Sequence, residues 1–243
     1  MRAIATCLLA LTATAVAAQD PAPSPEPSRG VVVRVAGGLA GLSLGDAAAF
    51  HQSVADAYVA VGVPVPTQRA LGVGPTGGID VLVPFRDGRV GVGVRAAESS
   101  AYSLYGDYAG TLDVVSRVRV VFVESVSVAE LPLGGPVRPF VGSRGGSAFA
   151  TLSTRDALDL DALGTAGGEV RGSGTGYVLE GFGGVAVAAG PVGLFGQAGY
   201  RYARVPRLNG AVRVGGETVE EGALPFGLSL SGWTGVVGVT LRY

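Results

Sequence analysis

The chain has 243 residues, of which 41 are Gly and 15% are charged, with a formal net charge of −1. Its mean hydropathy of +0.43 is high for a soluble domain of this length. No overall basic field exists to attract nucleic acid, and the single cysteine, Cys7, excludes an internal disulfide or a thiolate metal site.

The first 18 residues read as a secretory signal. Arg2 supplies the basic start, "AIATCLLALTATAVAA" the apolar stretch, and "VAA" the small residues before a cut after Ala18. Cleavage after Ala17 is nearly as good, and an uncleaved anchor is the alternative, although the apolar run is short for a span. Residues 19–30, with "DPAPSPEPSRG", form an extended Pro-rich tether. Residues 31–243 are expected to make one barrel domain.

From Val31 onward the dominant pattern is alternation with period two. "VVVRVAGGLAGL" sets Val31, Val33, Val35 and Leu39 against Arg34. "GGIDVLVPF" sets Ile79, Val81, Val83 and Phe85 against Asp80. "RVGVGVRAA" sets Val90, Val92 and Val94 against Arg95. "TLDVVSRVRVVF" sets Leu112, Val114, Val118, Val120 and Phe122 against Asp113, Arg117 and Arg119. In "PVRPFVGSRGGSAF", Arg138, Gly142 and Arg144 share a face. "YVLEGFGGVAV" sets Tyr177, Leu179, Val185 and Val187 against Glu180. "VGLFGQAGYRYA" sets Val192, Leu194, Tyr200 and Tyr202 against Gln197 and Arg201. "GWTGVVGVTLRY" closes the chain with Trp233, Val237, Val239, Leu241 and Tyr243 on one face. Residues 181–200 are uncharged for twenty positions, but their glycines and the central Gly190-Pro191 favour a hairpin over a helix.

The connections alternate in length. "RDGR", with Asp87-Gly88 as a tight turn, "LPLGGP" and "AGP" are short; 44–76, 98–109, 150–175 and 206–226 are long. Even strand number, membrane-length strands and alternating short and long connections predict an all-β fold. It is an eight-stranded antiparallel up-and-down transmembrane β-barrel, with one short helix in the first long loop. Charges facing lipid would be costly, so Arg34, Asp80, Arg95, Asp113, Arg117, Arg119, Arg144, Glu180 and Arg201 are expected inside as a charge network. Glu180 and Arg201, on adjacent strands, are the most specific expected pair. Phe85, Phe122, Tyr177, Tyr200, Tyr202, Trp233 and Tyr243 are expected at the two membrane interfaces.

The signal, the eight alternating strands and the aromatic last residue resemble the small bacterial outer-membrane β-barrels of the OmpA/OmpX type. The resemblance implies a cell outer-membrane location with both termini in the periplasm. It also implies outer-membrane lipid and the barrel-assembly machinery as partners. Val237, Val239, Leu241 and Tyr243 match that family's C-terminal insertion signal, with Tyr in place of its usual Phe.

In the first long loop, Asp46 can cap a helix, and Phe50, Val54, Tyr58 and Val61 follow helical spacing over about 47–60. The expected role is a lid on the barrel mouth, or else a binding element for an apolar ligand or extracellular partner. His51, the only histidine, reads as a surface residue of this helix. Asp156, Asp159, Asp161 and Glu169 read as solvated loop charges, without the spacing of a calcium loop. No catalytic triad can be placed, and neither metal nor cofactor is implied. The expected function is structural or surface-interacting, through the long loops, around a filled, porin-like barrel. A conduit for small apolar solutes and a lipid-modifying enzyme are the alternatives.

Overall fold

The computed structural model describes residues 30–60, 63, 66–107, 110–131, 136–160 and 164–243. The expected signal, nearly all of the Pro-rich tether, Val61 and Asp161 lie outside the described residues. The elements in chain order are β1 (Val32–Gly41), α1 (Gly45–Ala60), β2 (Thr67–Arg69), β3 (Val73–Phe85), β4 (Gly88–Asp107), β5 (Gly110–Glu130) and β6 (Val137–Leu160). Then follow β7 (Gly164–Ala189), β8 (Val192–Val205), β9 (Asn209–Val214), β10 (Glu217–Ala223), β11 (Leu228–Ser229) and β12 (Gly232–Arg242).

Eight of these strands close a ring in the order β1-β3-β4-β5-β6-β7-β8-β12, every neighbour antiparallel. The eight alternating segments of the sequence all fall on these strands. Closure comes from the chain ends: Val35 pairs with Val239 of β12 and with Ile79 of β3. Following the register from Val35 through β12 reaches β8 at Leu194. Following it the other way, through Ile79, Val94, Val123, Ser147 and Tyr177, reaches β8 at Arg204. The ring therefore closes with a shear of ten residues, which tilts the strands by roughly 40° and leaves an interior that side chains can fill.

Two of the connections differ from expectation in a way that matters. Residues 98–109 and 150–175 are mostly strand: β4, β5, β6 and β7 run for 20, 21, 24 and 26 residues, against 10 and 11 for β1 and β12. Paired β-structure satisfies the backbone as fully in water as in lipid, so nothing stops these hairpins at the membrane surface. The extra ten or so residues raise one side of the barrel by about 25 Å. The last long connection holds the β9–β10 hairpin, which extends this tall wall by pairing β9 with Gly168–Ser173 of β7. At the opposite end the connections are tight. Gly190 takes φ 65° in the Gly190-Pro191 turn, between paired Ala189 and Val192. The β3–β4 turn is Arg86-Asp87 rather than Asp87-Gly88, with Arg86 at φ 50° and Gly88 already paired to Phe85.

The helix α1 lies at the tall end. Its buried face is Ala47, His51 and Ala55, one residue round from the expected Phe50–Val54–Tyr58 face. Val54 and Tyr58 are half-buried beside Ala55, Leu112 and Val114, and Phe50 packs on Phe226 with ring centroids 5.3 Å apart. Small residues occupy the closest approach because the helix packs against the inner wall of a narrow barrel, where Phe would not fit.

The closure can be tested by cross-linking in a Cys7→Ser background. Val35→Cys with Val239→Cys should form a disulfide on mild oxidation, giving a circularised species on gels. Val35→Cys with Val237→Cys, one diagonal away, should form it at least tenfold more slowly, because Cβ atoms must come within about 4.5 Å.

Candidate functional site

The outer surface changes character along each strand of the tall wall. Outward residues of β4 run Val90, Val92, Val94, Ala96, then Glu98 and Ser100. Those of β5 run Val123, Val121, then Arg119 and Arg117. Those of β6 run Val141, Ser143, Gly145, Ser147 and Phe149, uncharged with an apolar residue at each end, then Thr151, Ser153 and Arg155. The apolar part forms a belt around the ring, with Ile79, Val92, Leu179, Leu194 and Val237 all more than half exposed. Trp233 meets Tyr200 at 5.2 Å and Tyr177 meets Tyr202 at 6.0 Å at the belt's tall-side edge. Phe85 and Tyr243 stand exposed at the other edge, and Phe149 joins the tall-side aromatics. Val237, Val239 and Tyr243 all point outward on the closing strand, while Leu241 is half-buried.

The inward face at belt height carries the charges. Glu180 is the hub. Arg201, 1% exposed, reaches one of its oxygens with Nε at 2.9 Å and Nη2 at 2.7 Å. Arg144 Nη1 (3.4 Å) and Thr234 Oγ1 (3.2 Å) donate to the other. Arg144 Nη2 bonds Asp80 at 2.7 Å. Arg95 lies 3.7 Å from Asp80 and 3.9 Å from both Glu124 and Glu180. Strand register brings these groups together: Arg144 and Arg201 are the direct cross-strand partners of Glu180 on its two sides.

Arg34, also cross-strand from Asp80, instead lies over the rings of Phe140 (4.7 Å) and Phe195 (5.2 Å). Arg144 and Arg201 stack in the same way on Phe182 (4.2 Å) and Phe122 (4.1 Å). Glycine makes the room: a Cβ at Gly78 would sit 2.5 Å from Arg95 Cγ, and one at Gly184 would sit 2.7 Å from Phe140 Cζ.

Arg34, Asp80, Arg95, Arg144, Glu180 and Arg201 thus share one buried cluster. Asp113, Arg117 and Arg119 do not belong to it; they point out of the barrel. Phe122, expected at a membrane interface, is fully buried inside. The cause is the length of β5. Above the belt its outward neighbour is water and its inward neighbour is the apolar cap, so polar residues face out there and apolar residues face in. Glu124, which sequence reasoning missed, is the inward charge of β5 and is 1% exposed. Its signal was the flanking Val121 and Val123, which set the lipid-facing parity.

Above the charges the lumen is filled by an apolar cluster including Leu42, Leu44, Val118, Leu152, Val205, Leu208, Leu228 and Leu230, with α1 across it. His51 is not a surface residue: it is 2% exposed. Its Nδ1 lies 2.9 Å from Ser116 Oγ and its Nε2 3.0 Å from Ser103 Oγ, and Ser116 Oγ lies 2.9 Å from Thr154 Oγ1. Asp156, expected as a solvated charge, accepts hydrogen bonds from Tyr58 Oη and from Gly168 N. Burial and the neighbouring Asp156 push the Tyr58 phenol up. Burial alone pushes the His51 imidazole down from 6.5. Among the described residues no cluster of three or more His, Cys, Asp or Glu is placed to hold a metal.

A closed eight-stranded ring with an apolar outer belt and a charged, filled interior defines a membrane-spanning β-barrel. No family model matches the chain, and no curated protein matches it. The crystal structure of Neisserial surface protein A (NspA) is similar to it, at 16% identity and a TM-score of 0.37, covering 89% of this chain and 98% of that one.

Replacing Glu180 by Gln takes the carboxylate from three buried guanidinium groups, those of Arg95, Arg144 and Arg201, and should cost about 3 kcal/mol or more. Arg117→Gln, on an exposed pair with Glu98, should cost less than about 1 kcal/mol. Urea unfolding followed by heat-modifiable gel migration measures both.

The His51 shift gives a pH dependence with a definite sign. The fold favours the neutral ring, so its stabilising contribution is present above pH 6.5 and is lost as pH falls from there toward the lowered folded value. The protection of the α1 amides, as exchange corrected for the intrinsic pH dependence of the rate, should fall between pH 7 and 5, and His51→Asn should flatten that response.

Proposed function

We propose that this protein is an outer-membrane barrel that conducts nothing and presents its tall wall, outside the cell, as a surface for interaction. The observation that supports it most is the double blockage of the lumen. The ion cluster around Glu180 fills the barrel at belt height, and α1 with its apolar cluster fills it above.

An eight-stranded ring is narrow enough for side chains alone to occlude it. The short turns and both ends of the described chain lie at one rim, which in this reading is periplasmic. Val237, Val239, Leu241 and Tyr243 then serve as the strand read by the barrel-assembly machinery, and the belt is solvated by outer-membrane lipid. No catalytic role is part of the reading. The imidazole of His51 is sealed between two serine hydroxyls, and among the described residues no carboxylate orients it.

Refolded protein in a planar bilayer tests the lumen directly. The expected record is baseline current without sustained steps. A stable step conductance would overturn the filled-barrel reading and favour a conduit.

A further inference from the structure

We propose that a cleft on the outer face of the tall wall binds a lipid with a phosphorylated sugar headgroup from the leaflet around the barrel. This rests on the outer-membrane reading above. The cleft has a volume of about 1060 Å³ and runs from β5 across β6 and β7 to the β9–β10 hairpin. Four arginines line it: Arg117, Arg119, Arg155 and Arg171.

Their charge is incompletely answered. Arg117 and Arg119 share one carboxylate, Glu98, at 3.2 and 2.7 Å. Arg171 holds Glu169 at 2.7 Å. Arg155 is exposed and makes no ion pair among the described residues. Among the described residues, Glu169 and Glu221 are the only carboxylates of the lining. Guanidinium forks arranged this way match phosphate oxygens, which they bind in pairs.

Position selects a lipid as the source. On β5 the outward step after Val121 is Arg119, and on β6 the step after Phe149 is Thr151. An acyl chain lying against Val121 and Phe149 would therefore bring its headgroup to the cleft floor. Size selects a sugar. The volume far exceeds a single phosphate, and Ser153, Ser173 and Asn209 add partners for hydroxyl groups beside the arginines.

The test uses the full chain refolded in a maltoside detergent, which carries no phosphate. Native mass spectrometry would follow binding of diphosphoryl lipid A, monophosphoryl lipid A and inorganic pyrophosphate. The expected order is diphosphoryl, then monophosphoryl, with pyrophosphate at least a hundredfold weaker. Arg117→Gln with Arg119→Gln should weaken diphosphoryl lipid A binding by tenfold or more. Arg155→Gln, a single change at an exposed residue without an ion pair, should weaken it severalfold even if the double variant fails to refold.

Unchanged affinity in Arg155→Gln and in the folded double variant would overturn the proposal, as would absence of lipid A binding by the parent chain. Pyrophosphate binding as tight as the lipid would replace it with a soluble-phosphate site. Fractionation separates the two readings. Outer-membrane protein that ignores lipid A removes this inference alone, whereas protein found wholly in the soluble periplasm removes both.

Discussion

A β-strand cannot exchange its two faces without a bulge, and the long strands of this barrel keep one parity from end to end. On β5 every even-numbered residue from Leu112 to Val128 is buried in the barrel and every odd-numbered one from Thr111 to Ala129 is exposed. What changes along the strand is the solvent on each side. At belt height the outside is hydrocarbon and the inside holds ions, so Val121 and Val123 face out while Glu124 faces in. Beyond the belt the outside is water and the inside is the cap, so Arg117 and Arg119 face out while Val118 and Val120 face in. On this one uninterrupted strand the outward face therefore turns from Arg117 and Arg119 to Val121 and Val123 near Val120. Glu124 is the single charge on the inward face between Leu112 and Val128, which is apolar again at Val126 and Val128. The position of the outward change fixes the upper edge of the membrane zone, the height of the ion cluster and the depth of the cap.

The ion cluster follows from the narrowness that closure imposes. A shear of ten on eight strands leaves room for side chains but not for bulk water. Arginine is suited to such a space because its planar group can be satisfied in two directions, by carboxylates at its edge and by aromatic rings on its faces. Four arginines and three carboxylates, Asp80, Glu124 and Glu180, occupy the level. The positive excess is met by rings: Arg34 lies between Phe140 and Phe195 rather than on a carboxylate oxygen. The inward glycines are the complement of this filling. Residues as large as Phe182 and Arg95 can point inward only where the facing strand has no Cβ. Removing Glu180, Asp80, Arg144 or Arg201 strands a hydrogen-bonded partner, which ties this part of the cluster to strand register as well as to stability.

Much of this could be read from the chain, because the membrane zone obeys a simple rule. The strands that stop near the belt, β1, β3, β8 and β12, show one clean alternation each, and their inward charges Arg34, Asp80 and Arg201 follow from it. Glu180 and Arg201 were legible as a pair because a two-residue turn at Gly190-Pro191 fixes the register between them. The fourth segment misled because its strongest alternation, Leu112 to Phe122, belongs to the watery zone. There the apolar face is the inner one, so applying the lipid rule placed Asp113, Arg117 and Arg119 inside and Phe122 outside. His51 was hidden for a related reason. A histidine on a helix among Ala and Ser carries no periodic mark of burial. Of its partners, Ser103 falls in the stretch 98–109 that local sequence reads as loop, while Ser116 sits on the fourth segment among Leu112, Val114, Val118 and Val120, the face that the lipid rule turns outward.

The tall wall is exposed on a face and on an edge, and the two are dressed differently. β10 is paired on one side only, by β9. Among the described residues its outer edge is unpaired, and Glu217 and Glu220 stand exposed there, while Glu221 reaches the rim of the cleft. Charge of one sign along an open edge discourages further strand pairing, so the wall ends there instead of growing into a second chain. The broad face beside it has the opposite bias, with Arg117, Arg119, Arg155 and Arg171 around the cleft. A polyanion approaching the wall is thus repelled from the edge and drawn to the face, near the belt, where the sheet is backed by α1 and the apolar cap and does not have to be ordered on binding. A flexible loop would lose that advantage to conformational entropy, and this gives a physical reason for extending the hairpins as paired strands well past the membrane.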